Sequence, residues 1–84
     1  MKKVDFRKVE IENIDGIKEH ADVSKQLGNL MYMQGQNIEE CELGRDIYHK
    51  GEVELSEKQT EAIKRFIQPW SYILRTAVCN MFID

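Results

Sequence analysis

Eighty-four residues suffice for one hydrophobic core and are too few for two, because a chain of this size hides only somewhat more than half of its unfolded surface on folding. A hydrophobic fraction of 42%, a single proline and five glycines belong to a folding sequence, not to a linker or a low-complexity tract. The formal net charge is −3, with nine acidic against six basic side chains in residues 36–84, so nucleic acid is repelled on average and would need a local basic patch.

In chain order, the first segment runs from Val4 through Phe6 to Ile14, and from Val9 it alternates apolar with polar as a half-buried strand does. Asp15-Gly16 follows and supplies the positive φ of a tight turn, so Ile17 to Val23 is expected to return as a second strand. A two-stranded hairpin is marginal alone, so its apolar face (Val9, Ile11, Ile14 and Ile17) is expected to rest on helices. Ser24 is placed to cap a first helix carrying Leu27, Leu30 and Met31 up to Gln34, where Gly35 interrupts it. Asn37 with Glu40 has the form of a capping box for a second helix, Ile38 to His49, stopped by Lys50-Gly51. Its apolar residues fall in two groups, Ile38, Cys41 and Tyr48 on one side and Leu43 with Ile47 on another, which predicts contact on both.

Glu52 to Leu55 reads as a short extended connector, after which Ser56 and Gln59 form the clearest capping box in the chain. From Ala62 the apolar positions Ile63, Phe66, Ile67, Trp70, Ile73, Leu74, Ala77, Val78 and Met81 keep helical spacing for about five turns. Pro69 interrupts this stripe without shifting its phase, which predicts a kink near Ile67–Gln68. No internal repeat and no linker is read. The expectation is therefore an α+β fold in a single domain, residues 1–84, with an N-terminal β-hairpin (1–23) packed on three α-helices (24–84), the C-terminal one long and kinked near Pro69.

The chemistry-bearing residues are scattered. His20, Cys41, His49 and Cys79 lack the close spacing of metal ligands, and the two cysteines fall on apolar stripes as packing residues. Cys41 and His49 do not pair as nucleophile and base, and Glu39, Glu40 and Glu42 suit a solvated helix start. Glycines 28, 35, 44 and 51 match neither nucleotide fingerprint. No catalytic, cofactor or metal residues are therefore assigned, and no small-molecule substrate is inferred. Residues 24–50 have the outline of a helix-turn-helix, but the second helix would point its glutamates at phosphates. The N-terminus, Met1-Lys2-Lys3-Val4-Asp5, lacks the apolar stretch of a secretory signal, and no apolar run approaches the roughly 20 residues of a membrane span; the expectation is a cytoplasmic protein with no membrane partner.

What remains is apolar surface. Tyr32, Trp70, Tyr72, Met81 and Phe82 are the candidate contact residues, and a protein partner or self-association into a homo-oligomer is the leading expectation. The alternative is a small nucleic-acid-binding regulator using Lys2, Lys3, Arg7 and Lys8, although Asp5 and Glu10 balance those charges. Asp22-Val23-Ser24-Lys25, Leu27-Gly28-Asn29, Glu42-Leu43, Ile47-Tyr48 and Gly51 to Ser56 together resemble small uncharacterised proteins encoded in bacterial prophages and other mobile elements. The resemblance implies an accessory or assembly protein and carries no site residues.

Overall fold

In the computed structural model, which describes residues 2–83, the chain is an α+β fold of four helices and two small antiparallel sheets. Where one N-terminal strand pair was expected, there are two separate pairs. β1 (Lys2–Asp5) and β2 (Val9–Glu12) are divided by a turn at Phe6–Lys8. Asp5 makes that turn: its carboxylate accepts the Arg7 backbone N–H at 2.9 Å, Arg7 Nε at 3.0 Å and Arg7 Nη2 at 3.1 Å. Beyond Glu12 the hairpin is built as the sequence suggests, with β3 (Lys18–Ala21) antiparallel to β2, Val9 opposite Ala21 and Glu12 opposite Lys18.

The hairpin loop explains one failed expectation. Asn13 Oδ1 accepts the N–H groups of Asp15 and Ile17, Asn13 N–H donates to the Ile17 carbonyl at 2.9 Å, and Gly16 takes φ +81°. This is a three-residue loop closed by a left-handed glycine. It puts Ile14 at the tip and Ile17 at the loop's end, so both are exposed, while Val9 is buried and Ile11 packs against the core.

Glu52–Leu55, expected as a connector, is strand β4. It pairs antiparallel with β1, Val53 opposite Val4 and Leu55 opposite Lys2. The sequence pair Val53 and Leu55 alternates inward on one face, with Val4 beside it in the core. Phe6 joins the two sheets to the helices: its N–H donates to the Gly51 carbonyl and its own carbonyl accepts the Val23 N–H, both at 2.9 Å.

The helices are α1 (Ser24–Gln34), α2 (Ile38–Lys50), α3 (Glu57–Phe66) and α4 (Tyr72–Asn80). Ser24 is not the cap of α1. It lies inside the first turn, buried, and donates its hydroxyl to Asp22 Oδ1 at 2.6 Å, the same oxygen that accepts its N–H. Asn37 caps α2 through the Glu40 N–H, and Gly51 ends it at φ +76° with its N–H on the Ile47 carbonyl. Ser56 and Gln59 form the full reciprocal box at the start of α3. The long kinked helix does not form; Pro69 lies in a connection between two helices. Ile67 ends α3, and Ser71 caps α4 by accepting the Leu74 N–H.

The core draws on every layer, with Phe6, Val9, Leu27, Met31, Ile47, Ile63, Ile67 and Val78 wholly buried. Both cysteines are free and partly buried; Cys79 packs on this core, and Cys41 Sγ lies 3.5 Å from the Tyr32 carbonyl.

Candidate interaction surfaces

The five contact residues named from the sequence lie in separate places. Tyr72 is 69% exposed at the start of α4, and Met81 lies just beyond the end of that helix, half-buried; both line a cleft between α4 and the β2–β3 hairpin. Tyr32 is 47% exposed on α1 and faces α2. Phe82 turns inward and meets Phe6 edge to face, ring centroids 6.4 Å apart. Trp70, in the α3–α4 connection, packs partly against the core. Trp70 and Phe82 therefore contribute to the fold as much as to any surface.

The cleft occupies about 630 Å³. Its floor is apolar, with Ile11, Ala77 and Met81, and Tyr72 and Ile73 stand on its helical wall, Ile73 54% exposed. Ile73 was counted with the core stripe in the sequence. The break at Pro69 gives α4 its own direction, so Ala77 and Val78 take the buried face and Ile73 is left outside. On the opposite wall, Glu10 and Glu12 of β2 stand across from His20 and Lys18 of β3, and Lys18 Nζ reaches Glu10 Oε1 at 3.4 Å. Acid and base are thus interleaved along one sheet face.

A second recess lies between α1 and α2. Gly28 and Gly44 form the crossing point of these helices: a Cβ on Gly28 would fall 2.6 Å from the Gly44 carbonyl oxygen, and one on Gly44 2.7 Å from the Gly28 carbonyl oxygen. Each glycine is followed four residues later by a tyrosine, Tyr32 and Tyr48, which the helical period sets on the same side. The recess they border, about 290 Å³, is completed by Asn29, Arg45 and His49. Lys25 Nζ sits 4.4 Å from the Tyr48 ring centroid and the Arg45 guanidinium carbon 5.6 Å from that of Tyr32.

A signal for this site stood in the sequence, where no repeat was read. Leu27-Gly28-Asn29-Leu30-Met31-Tyr32 and Leu43-Gly44-Arg45-Asp46-Ile47-Tyr48 share leucine, glycine and tyrosine at the same spacing. In both copies the leucine and the residue before the tyrosine are buried.

Two of the four basic N-terminal residues are engaged within the chain. Arg7 is held on both oxygens of Asp5, and Lys2 Nζ donates to the Ile83 carbonyl at 3.2 Å. The Arg7 hydrogen bonds hold the Asp5 carboxyl below the usual aspartate range, and Asp22 is lowered likewise by its hydrogen bonds from Ser24. Glu40 is lowered first by the Gln36 backbone N–H and then by Arg65 Nη2, 2.7 Å away. Among the described residues, no group of three or more His, Cys, Asp or Glu side chains is placed to share a metal ion, and no helix is long and apolar enough to cross a membrane. The chain matches no protein-family model, no curated protein and no solved structure.

Proposed function

We propose that this protein is a non-catalytic interaction module that associates with a second copy of itself through the cleft between the β2–β3 hairpin and α4. The observation that carries this reading is the apolar pair Tyr72 and Ile73, more than half exposed on the wall of a cleft whose floor is already apolar. The charge pattern favours a copy of the same chain over an unrelated partner. Glu10 and Glu12 on one strand and His20 and Lys18 on the next give a face that carries both signs, so a two-fold axis can set acid against base in both directions.

The outer edge of β3 supports the same arrangement. Because Asn13 and Ile17 form a hydrogen-bonded pair, the alternation of an antiparallel ladder directs the main-chain groups of Lys18 and His20 away from β2. Among the described residues no strand pairs with that edge. An accessory or assembly role, of the kind the sequence resemblance implies, is compatible with such a module.

Sedimentation or light scattering at micromolar to submillimolar concentration tests the reading. The wild-type chain is expected to show a dimer that Tyr72→Ser with Ile73→Ser converts to monomer, with an unchanged circular dichroism spectrum. Trp70 and Phe82 are poorer probes, since their replacement disturbs the core. A wild-type chain that stays monomeric across that range removes the proposal.

A further inference from the structure

The geometry points to the recess between Tyr32 and Tyr48 as a binding site for a small heteroaromatic anion with the chemistry of a nucleoside monophosphate. It shares no lining residue with the cleft proposed for self-association, so the two readings stand apart.

Three features select this ligand class. First, the recess is bordered by two tyrosine side chains, 47% and 38% exposed, each with a cation over its ring, so that a flat ring packing beside them meets aromatic and cationic surface together. Second, the charged or titratable groups among its six lining residues, apart from the tyrosine hydroxyls, are Arg45 and His49; no carboxylate lines it. Lys25, whose Nζ lies 4.4 Å from the Tyr48 ring centroid, adds a second cation beside the recess. An anion entering here therefore meets no carboxylate, and Arg45 presents the planar fork that suits phosphate. Third, a space of about 290 Å³ is in the size class of a single small ligand such as one mononucleotide.

The domain's charge distribution points the same way. The protein as a whole is acidic, and the other end of α2 carries Glu39, Glu40 and Glu42, so an extended polyanion running along the helix would meet repulsion that a single nucleotide avoids. The paired Gly-x-x-x-Tyr segments give the recess a structural basis. The glycines let the backbones touch, and this closeness sets the two tyrosines on opposite helices around one opening.

The test is a titration of the full isotope-labelled chain with 5′-AMP and 5′-UMP, followed by amide chemical shifts. Perturbations are expected at Gly28, Asn29, Tyr32, Arg45, Tyr48 and His49. Arg45→Glu is expected to weaken binding at least about tenfold, the loss of a charge-assisted contact and the addition of a repulsive one. Tyr48→Leu keeps a Cβ against Gly28 and removes the ring, and is expected to weaken binding by a similar factor; the spectrum of each variant reports its folding. Adenosine alone and inorganic phosphate alone should each bind at least about tenfold more weakly than AMP, since each lacks one half of the recognition. The inference is overturned if neither nucleotide shifts these amides, or if phosphate alone matches AMP. It is equally overturned if decathymidylate or a glutamate-rich peptide binds the recess more tightly than either mononucleotide.

Discussion

Two pairs of consecutive helices in this molecule start from comparable sequence signals and end differently. α1 and α2, joined through Gly35 and Asn37, make the most extensive contact between any two elements, whereas α3 and α4, joined through Pro69, scarcely touch. Hydrophobic patterning does not separate them: the apolar stripe is the more regular in the second pair. The difference lies in the residues that govern how close two backbones can come. Gly28 and Gly44 allow direct backbone contact at the crossing. α3 and α4 have no such crossing of backbones: α4 lies against β2 and α3 beside α1 and β4, and their side chains meet only in the common core. Dense packing gives the first pair a defined recess; α4 turns Ala77 and Val78 into the core that α3 shares and leaves Tyr72 and Ile73 exposed.

The comparison breaks most directly at Gly44. A Cβ there would meet the Gly28 carbonyl at 2.7 Å, the Tyr32 backbone nitrogen at 2.8 Å and the Met31 Cβ at 2.9 Å, and backbone cannot move aside as a side-chain tip can. Gly44→Val is therefore expected to lower the unfolding free energy by about 3 kcal/mol or more, above the usual cost of overpacking because two helices must separate. Urea denaturation measures this. Helix propensity alone predicts a gain of roughly 0.5 kcal/mol for replacing a mid-helix glycine with valine. A gain would show that the crossing does not depend on glycine.

How much of this was legible in the sequence depends on whether a signal is local. The capping box at Ser56 and Gln59, the Asn37 cap, the Gly51 stop and the Gly16 turn were readable because each involves residues within four positions of one another. β4 is not legible in the sequence because its pairing partner β1 lies 47 to 53 residues away, and four residues of alternation look the same in a connector. Ser24 was misassigned because Asp22, two residues earlier, takes both of its donors. The candidate surface was legible in part. Tyr32 and Tyr72 are exposed, and so are Tyr48 and Ile73, which read in the sequence as packing residues of helical stripes, because burial of a stripe residue depends on the direction of its helix.

A smaller effect tests the ionic link that joins α2 to α3. Glu40, at the start of α2, accepts the Gln36 N–H at 3.0 Å and Arg65 Nη2 of α3 at 2.7 Å. Both partners favour the carboxylate, so its native pKa lies below that of the unfolded chain. The associated stability is complete above the ordinary glutamate range and is lost as pH falls through the lowered native value. Glu40→Gln should cost roughly 1 kcal/mol at neutral pH, from the lost charge-assisted contacts, and should make the acid limb of a stability–pH curve shallower. A variant with the wild-type acid limb would mean that Asp5 and Asp22, lowered by their own local partners, carry the acid sensitivity instead.

The smallest expected effect concerns Pro69, and it asks whether proline or the core divides α3 from α4. A continuous helix over residues 57–80 would be about 36 Å long, close to the full 41 Å length of the molecule. Ile63 and Val78, both wholly buried, would then stand about 22 Å apart along one axis and could not share a compact core. The break brings them together, and other groups hold it. Ser71 accepts the Leu74 N–H through its side chain and the Arg75 N–H through its carbonyl, and Arg75 Nη1 donates to the Gln68 carbonyl at 2.9 Å. Pro69→Ala is accordingly expected to leave both helix ends in place and to cost no more than about 1 kcal/mol, chiefly by loosening the unfolded chain. Backbone chemical shifts across residues 67–71 provide the check. If they become helical in the variant, proline is the cause of the break, and the exposure of Tyr72 and Ile73 follows from one residue and not from the demands of the core.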